Sequence, residues 1–295
     1  MPMIARPPPD LLVRATGSTE GTVTDKLTSA EYTAIHDFLE VKAGIRLGAG
    51  KEYLVISRLG RLLASCGLDG YSELLGKLNG LGATTLQTAV VDAMTTNETF
   101  WFRDASHYRV LIEGILNETK PSRLRIWSAA ASTGQEAYST AICLNDAIQG
   151  GRVPRGLNYE IFGTDISSTA LQEAEAARYC GVSAGRGLNE AQRRRYFREQ
   201  DGCIEVLPLY RQKVSFRQFN LLQPFDPLGR FDVVFCRNVL IYFSQERKRD
   251  IIARIARVLT PGGHLFLGST ESMNGHEDLF EMRNFAGGLV YRLRS

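Results

Sequence analysis

The stretch Phe231-Asp232-Val233-Val234-Phe235-Cys236 is an apolar run that stops abruptly at the polar pair Arg237-Asn238. A strand covered on both faces of a parallel sheet reads this way when its carboxyl end opens onto a ligand crevice. From Leu124 onward the chain supplies the rest of such a sheet. Strands are expected at LRIWSAA, YEIFGTD, VSFRQFN, FDVVFC, HLFLGS and GLVYRLR. The helices GQEAYSTAICLNDAIQ and SSTALQEAEAARY separate the first of them, and SQERKRDIIARIARVL follows the fourth. This alternation predicts an α/β, Rossmann-like doubly wound domain over residues 124–295. Around residues 179–217 it breaks into a polar, glycine-containing stretch too long for a plain connection, which predicts a small inserted subdomain.

The first half obeys a different period. Thr28 or Ser29 caps a helix with apolar Tyr32, Ile35, Phe38 and Leu39, and KEYLVISRLGRLLASC forms a second that stops at Gly67. Tyr71 to Leu78 and Thr84 to Met94 add two more, so residues 26–95 read as a small helical domain. Residues 96–123 read as a linker carrying TNETFWFR, and residues 1–25, with Pro7-Pro8-Pro9, as a disordered tail. The chain has 295 residues and a net charge of +3, too small to imply nucleic acid. Five scattered cysteines without a CxxC pair suggest neither a zinc site nor a disulfide framework. No metal-ligand spacing links the four histidines, no apolar run reaches the ~20 residues of a membrane span, and no signal peptide is visible. A reducing cytoplasm is the expected setting.

The run Trp127-Ser128-Ala129-Ala130-Ala131-Ser132-Thr133-Gly134-Gln135-Glu136 is a strand, a small-residue loop and a helix start. Small residues let backbone approach a ligand, and a helix N-terminus offers unpaired amides. A single glycine does not make a dinucleotide fingerprint, and no phosphate-binding loop is present. A ligand without phosphate, such as S-adenosylmethionine, suits this turn. The next strand ends at Asp165, which either accepts ribose hydroxyls or caps the following helix through Asp-Ile-Ser-Ser. With the other motifs beside it, ribose binding is the expectation.

Three strings carry a resemblance. They are TTNETFWFR at 95–103, FRQFNLL at 216–222 and CRNVLIYF at 236–243. Together they closely resemble the chemotaxis receptor glutamate methyltransferase (CheR) family, and the likeness spans roughly residues 28–292. It implies an S-adenosylmethionine-dependent methyltransferase that esterifies glutamate side chains on the cytoplasmic helical domain of membrane chemoreceptors. The resemblance assigns cofactor contacts to Asn97, Thr99, Arg103, Ala129, Glu136, Asp165, Asn220, Leu221, Arg237 and Asn238. It places Arg103 and Tyr242 at the reacting centre and makes Lys51, Arg58 and Arg61 a receptor-docking face. It also makes the insertion a small β-subdomain, which in some members captures a receptor's C-terminal peptide. Here only REQDGC separates Tyr196-Phe197 from Ile204, so recognition without a tether is expected. Amine methyltransferases often carry Asn/Asp-Pro-Pro-Tyr/Phe where this chain has Arg237-Asn238-Val239-Leu240, and a cation there favours an anionic acceptor. The rival readings are a methyltransferase on nucleic acid or a small molecule, and a non-catalytic cofactor-binding module. A monomer without metal completes the expectation.

Overall fold

The computed structural model describes residues 26–273, 275–285 and 287–294. The tail expected over residues 1–25 lies outside the described residues. Thr28 starts α1 (Ser29–Ala43) with a capping box: its hydroxyl accepts from the amide of Glu31, whose carboxylate accepts from the Thr28 amide. Helices α2 (Glu52–Cys66), α3 (Tyr71–Leu78) and α4 (Thr84–Met94) follow, and Gly67 ends α2 in the left-handed conformation. Their apolar stripes meet in one core that includes Ile35, Leu39, Leu59, Leu74 and Val90.

Residues 96–123 are not a plain linker. Helix α5 (Ala105–Arg109) continues through a π-helical segment (Val110–Ile115) into α6 (Leu116–Thr119). Val110, Leu111, Ile112, Ile115 and Leu116 are all buried in the core of the sheet domain. The VLIEGIL run is too apolar to be left in water, and covering a sheet face removes it.

The main sheet has seven strands in the order β6-β2-β1-β7-β8-β10-β9. They are β1 (Arg123–Ala129), β2 (Asn158–Asp165), β6 (Val214–Gln218), β7 (Phe231–Cys236), β8 (Leu259–Leu267), β9 (Phe280–Phe285) and β10 (Gly288–Leu293). The first five pair in parallel, and β10 runs antiparallel between β8 and β9. Strand β9 was not anticipated, although FEMRNF alternates apolar and polar side chains and Gly287-Gly288 follows it as a turn signal. Helices α7 (Gln135–Gln149), α8 (Ser168–Ala176) and α11 (Gln245–Val258) pack against the sheet. In β7, Phe231, Val233, Val234, Phe235 and Cys236 are each fully buried, which is why only Asp232, accepting from the Arg125 amide, interrupts the apolar run.

The insertion is a separate three-stranded antiparallel sheet, β3 (Arg178–Cys180), β5 (Cys203–Val206) and β4 (Phe197–Gln200), with α9 (Glu190–Tyr196) on the way. It ends earlier than the composition implied: α10 (Pro208–Arg211) returns the chain, and Val214–Gln218 is already β6 of the main sheet. Cys180 and Cys203 form a disulfide between β3 and β5, contrary to the expectation of unpaired cysteines. Antiparallel pairing sets the two directly opposite each other, which a separation of 23 residues does not reveal.

Candidate active site

The strand order reverses at β1, whose neighbours are β2 on one side and β7 on the other. The carboxyl ends of these strands and the helical domain enclose a cleft of about 300 Å³. Such a switch point is where open α/β sheets bind ligands.

One wall is the loop after β1. Ala130 and Ser132 take left-handed backbone angles (φ 72° and 52°), and the amides of Ala130 and Ala131 both donate to the Thr164 carbonyl at 2.8 Å. This coil turns Ala130 and Ser132 to the cleft. Ala129, the residue expected there, instead sits in the core with 1% exposure and is not a lining residue. It still belongs to the strand, so its side chain points into the packed layer. The Ser132 hydroxyl is buried without a hydrogen-bond partner on a cleft-lining residue, and neither Ser132 nor Ala130 was singled out beforehand.

Asp165 reaches the cleft from the end of β2. Its carboxylate accepts from the amides of Ser132 (2.8 Å) and Ser167 (2.9 Å). Ser167 itself caps α8, so Asp165 supports the cap and faces the cleft at once. Burial raises its pKa, an effect the amides of Ser167 and Ser132 oppose. Ile166, Phe219 and Leu221 add an apolar surface beside it. Asn220 also lines the cleft, but its amide is engaged at both ends. It donates to the Lys42 carbonyl at 2.7 Å and accepts from the Leu222 amide at 2.9 Å, tying the sheet domain to the end of α1.

Arg237 departs most from expectation. Its side chain is 1% exposed and donates to Glu136 (2.7 Å), Asp104 (2.5 Å) and the Arg103 carbonyl (2.9 Å). Two carboxylates neutralise it, so its charge does not favour an anionic acceptor as the sequence suggested. Glu136 is held in turn by the Ser128 hydroxyl at 2.7 Å. Asn238, Val239 and Tyr242 close this side of the cleft, with Asn238 in the left-handed region at φ 57°.

Across the opening runs the strap 95–103. Asn97 donates to the Ser167 hydroxyl at 3.3 Å, and Thr99 lines the cleft beside it. Arg103 packs its guanidinium over Phe100 and donates to the Glu98 carbonyl at 3.2 Å. No ion pair involving Arg103 occurs among the described residues. The strap is anchored by Trp101, which is 1% exposed and lies edge-on to Tyr179 and Phe197, with centroids at 5.1 and 4.6 Å. The indole donates to the Ala184 carbonyl at 2.7 Å, and a Cβ on Gly187 would overlap the Trp101 carbonyl. Tyr179 also donates to the Thr133 carbonyl at 2.7 Å. The inserted subdomain therefore fastens both the strap and the loop after β1.

The three basic residues of the helical domain separate. Lys51, just before α2, and Arg58 line the cleft, whereas Arg61 is exposed outside it. Arg58 donates to the carbonyls of Met94 (2.7 Å) and Thr95 (3.3 Å) and to the Thr96 hydroxyl (3.0 Å), so it holds the start of the strap and is not a free docking charge.

These groups suit S-adenosylmethionine. Asp165 offers an acceptor for ribose hydroxyls, and Phe219 and Leu221 an apolar bed for adenine. The orphaned hydroxyl of Ser132 marks a polar subsite that a ligand would satisfy.

Comparison with known proteins agrees. Residues 97–288 match the family model described as the CheR methyltransferase, SAM binding domain, and residues 30–95 match the CheR methyltransferase, all-alpha domain. The chain is 41% identical over 269 residues to chemotaxis protein methyltransferase Cher2 of Pseudomonas putida, covering 90% of this chain and 98% of that one. It is 42% identical to chemotaxis protein methyltransferase 1 of Pseudomonas aeruginosa, again over 90% of this chain and 98% of the relative. With the chemotaxis protein methyltransferase of Salmonella typhimurium the identity is 36%, over 90% and 91%. With both family domains matched in order around one cleft, the chain belongs to the CheR methyltransferase family and is an S-adenosylmethionine-dependent methyltransferase.

Proposed function

We propose that this enzyme methylates glutamate side chains on the cytoplasmic helical domain of chemoreceptors, giving γ-methyl esters and S-adenosylhomocysteine. The observation that carries the reading is Arg103, a cation on the cleft without a carboxylate partner among the described residues, beside an Arg237 whose charge is met by two carboxylates. An unpaired guanidinium at a half-buried site suits an anionic group. Relatives that share 41–42% identity are chemotaxis protein methyltransferases, which makes receptor glutamates the acceptor to test.

The cofactor supplies an electrophilic methyl group on a sulfonium. A glutamate carboxylate, with an unperturbed pKa of ~4.3, is already ionised at neutral pH and needs no general base. Its oxygen bonds to the methyl carbon as the carbon–sulfur bond breaks, and the electron pair stays on sulfur. Asp165 would accept from the ribose hydroxyls, Phe219 and Leu221 would supply an apolar surface for adenine, and Asn97, Thr99, Ser132 and Asn238 would supply polar contacts. Arg103 orients a carboxylate at the cleft and Tyr242 covers the transferring methyl. Arg237 and Glu136, which also line the cleft, pair with each other, and Arg237 holds the strap against the end of β7 through Asp104 and the Arg103 carbonyl. Alignment of this kind supplies up to roughly 7–11 kcal/mol.

The same reading holds that the receptor is recognised directly, from the cytoplasm, by an edge of the cleft that includes Lys51. Support comes from the β-subdomain: β4 and β5 are joined by only Asp201-Gly202, and the outer strands β3 and β4 span three and four residues. Arg198, Glu199 and Gln200 are exposed on β4, a short polar edge that gives an added strand little to pair with.

The test is transfer of tritium from labelled cofactor to a receptor cytoplasmic fragment, with and without its last residues. Base-labile release as methanol, at rates within about twofold for the two fragments, is the expected result. Counts that resist base would overturn the ester assignment. A large loss on truncation would overturn direct recognition, because a short flexible tether raises local concentration to the ~millimolar range.

A further inference from the structure

The loop after β7 carries Asn238 and Tyr242, yet one carboxylate from elsewhere holds its backbone. Glu271, on the segment after β8, accepts from four amides: Asn238 (2.7 Å) and Gly268 (2.7 Å) on one oxygen, Val239 (3.0 Å) and Leu240 (2.7 Å) on the other. A carboxylate has about four lone-pair sites, so its acceptor capacity is filled. The topology explains the reach. Strands β7 and β8 are parallel neighbours with Cys236 opposite Leu267, so the segments leaving their carboxyl ends lie side by side. The fit is close, because a Cβ on Gly268 would come within 2.7 Å of the Glu271 carboxylate and 2.8 Å of the Asn238 side-chain nitrogen.

We propose that Glu271 is a positioning residue for methyl transfer, fixing the Asn238–Tyr242 wall of the cleft through its grip on three successive amides. Asn238 takes a left-handed conformation, which asparagine tolerates better than most non-glycine residues, and the bond from its amide to Glu271 fixes it there. The three amides that follow Arg237 point the same way, and only an anion with two acceptor oxygens satisfies them together with Gly268. The next residues form the 3-10 turn Leu240–Tyr242, so the angle at which the phenol meets the cleft follows from that grip. The inference rests on the reading that Asn238 and Tyr242 face cofactor and reacting centre.

The experiment compares wild type with Glu271→Gln and Glu271→Asp. An amide turns two donors toward amide N–H groups that need acceptors, whereas aspartate keeps the charge one methylene short. For Glu271→Gln, kcat should fall at least tenfold while the cofactor Kd changes by less than about threefold. Hydrogen exchange should quicken across residues 237–243 and stay unchanged in α1–α4 and the β-subdomain. Glu271→Asp should recover part of both. Wild-type kcat and unchanged exchange at 237–243 in Glu271→Gln would overturn the proposal, as would uniform loss of protection across the fold. Should wild type itself transfer no methyl to the receptor, the substrate reading fails, and exchange with cofactor affinity alone decides the role of Glu271.

Discussion

Arg103 and Arg237 are the same side chain doing opposite work. Arg237 is buried between Asp104 and Glu136, so its removal leaves the 13%-exposed Glu136 carboxylate without its cation, while Asp104, at 33%, is still reached by water. Such a broken buried pair costs about 3–5 kcal/mol. Arg237→Met should therefore lower the thermal unfolding midpoint markedly, whatever it does to activity. Arg103 has only a carbonyl and an aromatic face for company, and Arg103→Met should leave the midpoint within a degree or two. Its kcat on receptor should fall by about 100-fold, as expected when a reacting group loses its alignment. Calorimetry and methyl-transfer kinetics on the two variants check the contrast. An Arg103 variant that melts early but turns over normally would reverse the roles.

At the scale of elements, α2 and the β-subdomain carry the open questions. Reversing Lys51 and Arg61 to glutamate should raise the receptor KM several-fold at low salt, spare cofactor affinity, and fade as salt screens the exposed charges. Arg58→Glu should behave differently, because its guanidinium binds the carbonyls at the start of the strap. Cofactor affinity should drop there, and added salt should not restore it. Equal behaviour of Arg58→Glu and the Lys51/Arg61 pair in a salt titration would make all three one docking face after all. The β-subdomain, meanwhile, seats Trp101 and through Tyr179 touches the loop after β1, so it braces the cofactor cleft whether or not it meets a receptor.

For the whole molecule, two buried histidines set an acid limit. Burial first, then nearby arginines, push His107 and His264 down to about 4 from 6.5. A histidine whose folded pKa is depressed contributes its stability above the unfolded pKa and loses it as pH falls through the folded one. Stability should thus decline from pH 6.5 toward 4, by about 2 kcal/mol for each histidine at pH 5. Midpoints measured across that range should fall more steeply in wild type than in a His107→Gln/His264→Gln variant. Parallel curves would mean that neither histidine resists protonation. The strands around the cleft were legible because burial on both faces demands largely apolar segments: FDVVFC has Asp232 as its one charged residue, and YEIFGTD, with Glu160 exposed, is buried toward its carboxyl end. The helical domain was legible from its apolar period and from caps such as Thr28 and Gly67, which act within one turn. Asp165 stood out because strand ends and ligand crevices coincide in such sheets. The rest depends on residues far apart in the chain. Nothing near Arg237 announces that Asp104 and Glu136 will surround it, 133 and 101 residues away. Cys180 meets Cys203 only once β3 and β5 pair, and Glu271 reaches Asn238 only because β7 and β8 lie side by side. Periodicity and capping are short-range and survive in the sequence alone, so the sequence by itself determined most of the main-sheet strands, the four N-terminal helices and the family. Which charges are free and which are spent is decided by the tertiary partners, because pairing depends on distance in space and not along the chain.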